Sequence, residues 1–153
     1  MTPTRLSDTS TDSGRKEFSA GGVVVRDNEV IVIVPVKRDA SGNRVLGLPK
    51  GHPDGDESDE AAAAREVQEE TGVTGELVSE LGEVRYFYER RGRRIAKRVR
   101  FYLFRYISGD VADHDHEIEE ARWIPLEEAA TALSYDGERE MVRRALSRLS
   151  PDR

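Results

Sequence analysis

The chain contains no cysteine and only three histidines among its 153 residues. The first absence excludes disulfides, thiolate nucleophiles, redox pairs and every cysteine-ligated zinc or iron–sulfur centre, and the second leaves little from which to build an all-imidazole zinc site. Long apolar runs are missing as well. No stretch approaches the roughly 18 uncharged residues that a membrane-crossing helix requires, and Met1 to Gly14 carries no apolar segment of a secretory signal. A cytoplasmic protein is expected. An excess of positive charge is also lacking: the formal net charge is −6. The molecule as a whole therefore repels nucleic acid and anionic membranes, so RNA, DNA and lipid surfaces are not expected partners. Any anionic substrate has to be met by a local cluster of cations or by a metal ion.

What is present is a charge-rich chain, 35 % Asp, Glu, Lys and Arg against a usual value of about 25 %. Its length suits one domain, able to bury roughly 70 % of its unfolded surface. Residues Met1 to Lys16 are dominated by Ser, Thr and Asp and read as a disordered tail, with one domain over 17–153. Two β-branched runs, FSAGGVVVR and NEVIVIVPVKR, separated by Asp27-Asn28, predict paired strands. Arg44 to Leu48 reads as a third short strand and Lys50 to Asp56, with Gly51, Pro53 and Gly55, as a loop. Ser58 to Thr71 predicts a helix: Ser58 caps it, Asp59 and Glu60 suit its first turn, four alanines favour it and Gly72 closes it. A strand over Gly75 to Arg85, a hairpin from Arg85 to Tyr106 turning at Arg91-Gly92, an acidic loop over Asp110 to Glu120, a short extended ARWIPL and helices over Glu127 to Leu133 and Gly137 to Leu149 complete the reading. This order of elements points to an α/β fold, a mixed sheet with helices on its faces.

Chemistry concentrates on the first helix. Glu66, Glu69 and Glu70 stand at i, i+3 and i+4, within an arc of about 100° on one face. Like charges so placed cost an isolated helix about 0.2–0.5 kcal/mol per pair, so the helix has no reason of its own to collect them. A hard divalent cation supplies one, since Mg²⁺ favours carboxylate and water oxygens beside substrate phosphates. Arg65 stands next to the cluster, able to pair with a carboxylate and fix its rotamer. The plain alternative is a solvated acidic face.

The surrounding residues decide between these. In GHPDGDESDEAAAAREVQEETGV, Gly51 is followed after five residues by Glu57, after seven more by Arg65-Glu66-Val67, then by Glu69-Glu70 and Gly72-Val73. This spacing resembles the signature of the Nudix hydrolases (MutT-like), with every defining position filled. The resemblance implies the family's α/β/α sandwich with its loop-helix-loop, and Mg²⁺- or Mn²⁺-dependent hydrolysis of a diphosphate linkage in a nucleoside diphosphate derivative. It also implies Glu66, Glu69 and Glu70 as metal ligands, the Gly51 carbonyl as a further ligand, Arg65 and Glu57 as the groups that orient and support them, and a structural Gly72. Glu66, Glu69 and Arg65 then belong to the catalytic set. Relatives often carry a glutamate before the last strand, and Glu117 stands there as general base or metal ligand, in competition with Glu119, Glu120 and Glu69. His114 and His116 flank it and read as solvent-facing.

LPKGHPDGDE resembles the bacterial diadenosine polyphosphate hydrolase branch of the family, which implies Lys50 and His52 as phosphate contacts. Lys97 has a counterpart there too. It belongs to a run of arginines, Arg85, Arg90, Arg91, Arg93, Arg94, Arg98 and Arg100, which suits a long polyphosphate or simply protects a sheet edge. An adenine is held by stacking on a ring, with Tyr86, Tyr88, Tyr102 and Tyr135 as candidates. The expected substrate is a diadenosine tetra- to hexaphosphate. The alternatives are a sanitising (d)NTP pyrophosphatase of the MutT type, a diphosphoinositol polyphosphate hydrolase and a nucleotide-sensing module without turnover. The molecule is a monomer or a homodimer on this reading.

Overall fold

The structure, a computed structural model, describes residues 16–149. Most of the expected tail lies outside the described residues, and Lys16, counted with it, is the first residue of a strand. The elements run β1 (Lys16–Arg26), β2 (Glu29–Pro35), β3 (Lys50–Gly51), α1 (Asp59–Thr71), β4 (Val73–Arg90), β5 (Arg93–Gly109), β6 (Ile118–Pro125), α2 (Leu126–Ala132) and α3 (Asp136–Leu149), with one 3₁₀ turn at Val111–Asp113. The sheet order is β4-β5-β1-β2-β6. β1 runs parallel to β5, from Lys16 opposite Ala96 to Val25 opposite Arg105, while the other pairings are antiparallel. A mixed sheet was the expectation from the order of elements.

Side-chain alternation on the strands builds the layers. Val23, Val25, Val30, Val32, Val99, Phe101 and Leu103 face α2 and α3, where they meet Leu126, Ala129, Met141, Val142 and Ala145. Ala20, Val24, Ile31, Tyr102 and Phe104 face the opposite way and meet Ala62, Ala63 and Val67 of α1. Each large apolar side chain so buried contributes about 1.5–3 kcal/mol. The result is the three-layer α/β/α sandwich. The alanine run serves the close seating of α1: Ala62 and Ala63 are fully buried, and a Cβ on Gly22 would come within 2.7 Å of Val67.

Four local expectations are corrected. Lys50 and Gly51, read as loop, form β3 opposite Gly21 and Ala20, because backbone pairing with β1 offsets the turn-forming composition around them. Arg44 to Leu48, read as a strand, contributes only the single bridge of Gly47 to Ile33. The strand and hairpin arm read separately merge into one 18-residue β4. Bulges at Thr74/Gly75, Leu77/Ser79 and Glu80/Gly82 interrupt its two-residue period, which is why its sequence reads as broken. The end of the acidic loop, from Ile118, belongs to β6. The hairpin turn falls where expected: Arg91 and Gly92 have φ of 56° and 77°, the left-handed pair that a tight two-residue hairpin demands.

Candidate active site

Helix α1 is fixed at both ends. The Ser58 hydroxyl accepts from the Ala61 N–H at 3.1 Å, and Gly72 closes the helix with φ 77° at a point where a Cβ would collide with the Asp110 carbonyl. Gly72 is therefore structural. On the polar face Arg65 is the hub. Its guanidinium donates twice to Glu57, at 2.8 and 2.9 Å, the two-pronged geometry that holds a carboxylate in one orientation. It also donates to Glu66 at 3.1 Å, to Glu69 at 3.2 and 3.3 Å and to the His52 carbonyl at 2.9 Å. Hydrogen bonds from Arg65, then from the Asp54 N–H, hold the Glu57 carboxyl below its ordinary range.

β3 threads between the two helical layers, and its two residues point in opposite directions. Gly51 faces α1. A Cβ there would overlap the Glu66 carboxylate, so only glycine lets that carboxylate lie against the backbone. Lys50 faces α3, where its Nζ sits 3.0 Å from Oε2 of Glu138. Its backbone N–H donates to Oε1 of Glu70 at 3.0 Å. Burial is the largest influence on Glu70 and pushes its carboxyl up to about 8, against the Lys50 N–H and the Lys50 charge, with Glu66 and Asp115 adding to the rise. Burial likewise raises Glu66, against the pull of Arg65. For Lys50, burial alone would lower the ammonium; Glu138 outweighs it, with Tyr86 and Glu70, and the net shift is upward.

Glu66, Glu69, Glu70 and Glu117 line one open cavity of about 640 Å³ together with Lys50, Gly51, His52, Asp54, Arg65 and Lys97. Glu117 reaches it because the loop before β6 is stitched to the end of α1. Asp115 donates its N–H to the Glu69 carbonyl at 3.0 Å, Glu117 donates its own to Oδ1 of Asp115 at 3.0 Å, and the Glu117 carbonyl accepts from Val36 at 2.9 Å. Of its competitors, Glu69 lines the same cavity, whereas Glu119 pairs with Arg38 and Arg44 and Glu120 with Arg122 outside it. His114 is half-buried and His116 exposed, and neither lines the cavity. Nδ1 of His52 is 2.9 Å from the Phe18 carbonyl, so that nitrogen carries the proton.

The all-oxygen donor set suits a hard divalent cation. Among the described residues no three acids, imidazoles or thiols are grouped so as to hold a metal ion between them. An open set is what Mg²⁺ uses, since it binds through one or two carboxylates and keeps waters and substrate phosphates. Two carboxyls pushed upward by burial are groups that a divalent cation would return to the ionised state.

A second cavity, of about 610 Å³, shares Pro35, Lys37, Lys50 and Lys97 with the first and continues to Tyr86, Phe87 and Tyr135. The Tyr86 and Tyr135 rings lie 13° from parallel with centroids 6.3 Å apart. Lys97, directly opposite Tyr86 on the neighbouring strand, is lowered by burial and then by the charge of Lys50. Tyr102, in contrast, is 3 % exposed beneath α1 and offers no ring to a ligand; the Tyr88 side chain lies outside the described residues.

The arginine run does not follow Lys97 into the cleft. Arg85, Arg98 and Arg100 point to the α1 side of the hairpin, where all three pair with Glu83, and Arg90 pairs with Glu17. The two-residue strand period puts Arg85, Arg98 and Arg100 on the opposite face from Lys97; Arg90, on the Lys97 face by the same period, is spent on Glu17. Sequence reasoning missed Lys37, Asp115 and Glu138. The first two sit in loops without pattern, and Glu138, in an acidic helix start, carries no mark of burial.

A mixed sheet between helical layers, with an acid-faced helix seated over a glycine strand and a lysine-bridged cleft beside it, is an arrangement suited to a metal ion and a polyanion. The chain belongs to the Nudix family: the NUDIX domain model matches residues 16–145. It is 38 % identical over 132 residues to the protein named MutT4 from Mycobacterium tuberculosis, covering 82 % of this chain and 53 % of that protein. It is 37 % identical over 101 residues to the 8-oxo-(d)GTP phosphatase of Mycolicibacterium smegmatis, covering 66 % of this chain and 30 % of that one. The chain thus spans about half or less of the length of these two relatives. Identity to the asymmetrical bis(5′-nucleosyl)-tetraphosphatase of Caenorhabditis elegans is 34 % over 89 residues, 57 % of this chain and 63 % of that protein. In fold it is similar to a NUDIX hydrolase from Nitrosomonas europaea, with a TM-score of 0.70 at 19 % identity, over 87 % of this chain and 90 % of that one. The crystal structure of a C. elegans Ap4A hydrolase binary complex gives a TM-score of 0.64 at 23 % identity, over 88 % and 98 %.

Proposed function

We propose that this protein is a pyrophosphohydrolase that uses Mg²⁺ or Mn²⁺ to cleave a phosphoanhydride bond in a nucleoside polyphosphate, with diadenosine polyphosphates as its substrates. The observation that carries the reading is the continuity of the cleft: carboxylates at one end, Lys37, Lys50 and Lys97 at the junction, and two near-parallel tyrosines at the other. When bound, the metal would neutralise phosphate charge and lower the pKa of a water. The chain's own groups do the rest. Arg65 and Glu57 hold Glu66 and Glu69 in register, Glu70 and the Gly51 carbonyl complete the donor set, and Glu117 takes the proton of the attacking water. Lys50, Lys97 and His52 meet the phosphate chain. A flat base between Tyr86 and Tyr135 needs roughly 7 Å, twice an atomic contact of about 3.5 Å. The 6.3 Å between centroids is the upper limit of the present gap, so the rings have to part further for a base to enter. Cytoplasmic residence, as monomer or homodimer and with no nucleic acid or membrane partner, belongs to the same reading; no helix among the described residues is long and apolar enough to cross a membrane.

A second reading, a MutT-type (d)NTP pyrophosphatase, is favoured by the names of the relatives at 38 % and 37 % identity. One assay separates the two. With Mg²⁺, diadenosine tetraphosphate should yield ATP and AMP, and Glu69→Gln should abolish that turnover while the fold is retained. Faster conversion of 8-oxo-dGTP to the monophosphate and pyrophosphate would replace the first reading by the second; tight binding without products would make the protein a sensor.

A further inference from the structure

Glu138 is 3 % exposed, on the first turn of α3, in a layer that contributes nothing to the carboxylate cluster. Both of its oxygens are committed. Oε1 accepts the Leu48 N–H at 2.9 Å, and Oε2 lies 3.0 Å from Nζ of Lys50. The Tyr135 carbonyl accepts from the Glu138 N–H at 3.1 Å, which ties the same turn to the tyrosine end of the cleft. From there the connections continue through Lys50, whose own N–H goes to Glu70.

Burying an ion pair is a poor way to gain stability, because an apolar pair of similar volume generally does as well or better. This one occupies the floor of the cleft, and its lysine, 19 % exposed at the side chain, lines both cavities. Lys97 and Lys37, also at the junction, have no ion pair among the described residues. Lys50 is therefore the one cation of the three, among the described residues, with an ion pair to orient it; Glu138 supplies that pair at 3.0 Å, and the Leu48 carbonyl adds a longer contact to Nζ at 3.5 Å. A lysine whose long stem is already ordered loses less freedom when it meets a phosphate.

We infer that Glu138 is a positioning residue for the substrate's phosphate chain, acting through the Lys50 ammonium and linking it to the helix that carries Tyr135. The inference rests on the nucleoside polyphosphate reading. Glu138 touches neither substrate nor metal; it fixes where the junction cation stands, and so which phosphate is gripped when a base enters between the tyrosines.

A double-mutant cycle tests it with Glu138→Gln, Lys50→Met and the two combined. The Gln amide oxygen still accepts the Leu48 N–H, so the fold contact survives while the charge is removed; should that variant not fold, Glu138→Met beside Lys50→Met supplies an apolar pair for the same cycle. The probe is adenosine 5′-(α,β-methylene)triphosphate with Mg²⁺, its dissociation constant read by titration, alongside KM and kcat for diadenosine tetraphosphate. Each single variant should weaken binding about tenfold and raise KM, with kcat of Glu138→Gln within about threefold of wild type, and the double variant should be no weaker than Lys50→Met. Additive losses, or wild-type binding by Lys50→Met, would overturn the inference while the nucleotide site stands. Failure of the wild-type protein to bind the probe would remove the nucleotide reading and this inference with it.

Discussion

The carboxylate of Glu66 lies directly against the α-carbon of Gly51, so closely that any side chain at position 51 would occupy its space. A two-residue strand thus sets the position of a carboxylate carried by a helix in another layer. Gly51→Ala should fold, since residue 51 is at the edge of β1 and half-buried, yet it has to push Glu66 away. A displacement of about 1 Å at a reacting centre can cost on the order of 100-fold in rate. We expect a loss of kcat of that order with unchanged far-ultraviolet circular dichroism; near wild-type kcat would dissociate Glu66 from catalysis.

The Glu70 carboxyl gives a pH dependence whose sign is opposite to the usual acid case. Its ordinary value of 4.5 is raised to about 8 in the folded protein, first by burial. Between those values the metal-free folded state holds a proton that the unfolded chain has released, so stability falls as pH rises through this window and is greatest below it. The stability of metal-free protein should therefore fall between pH 5 and pH 8 by at most about 1.4 kcal/mol per pH unit, and its thermal midpoint with it. Glu70→Gln should flatten the profile, and Mn²⁺, which needs the ionised carboxylate, should bind more tightly as pH rises through the same window. A midpoint that climbs steadily from pH 5 to 8 would contradict the burial of this group.

How much of this was legible in the residues differs from element to element. The run from Ser58 to Gly72 announces itself, because capping, alanine content and a terminal glycine agree, and the glutamates follow from its period. Strands β1 and β2 are equally plain, as both are buried on both faces and therefore continuously apolar. The site, however, needs Lys50 and Gly51 to lie on opposite faces of a strand, and a two-residue strand has no period to read. It exists only because β1 offers it hydrogen bonds. The basic run on the hairpin shows the converse: composition suggests one patch, but alternation sends Arg85, Arg98 and Arg100 to Glu83 on one face and Lys97 to the cleft on the other. Glu138 was invisible because burial of an acid depends on a partner that stands 88 residues earlier in the chain.

The tyrosine pair predicts a separation of binding from chemistry. Stacking of a base on an aromatic ring is worth about 1–3 kcal/mol by alanine substitution. Tyr135→Ala should raise KM for diadenosine tetraphosphate by roughly 5- to 150-fold and leave kcat little changed, because the ring lines the tyrosine cavity and not the carboxylate one. Tyr135 is 40 % exposed, so its removal costs little packing. A drop in kcat at constant KM would mean that the ring serves the helix start and not the base.

Glu117 and Glu119 stand two residues apart in the sequence, and a comparison between them isolates the proton acceptor. Glu117 lines the carboxylate cavity with its backbone anchored through Asp115, whereas Glu119 is spent on Arg38 and Arg44 outside that cavity. Removing a positioned general base costs about 10²- to 10⁴-fold in rate. Glu117→Gln should fall in that range, with Mn²⁺ affinity reduced as well if the carboxylate also reaches the ion. Glu119→Gln should leave kcat and KM essentially unchanged, because an exposed ion pair contributes about 0–1 kcal/mol to stability and nothing to the cleft. If both variants keep full activity, the base is Glu69 or another of the acids lining the same space, Glu66 and Glu70 on α1 or Asp54 in the loop before it; a Glu119→Gln protein with impaired kcat would instead require the loop before β6 to rearrange when substrate binds.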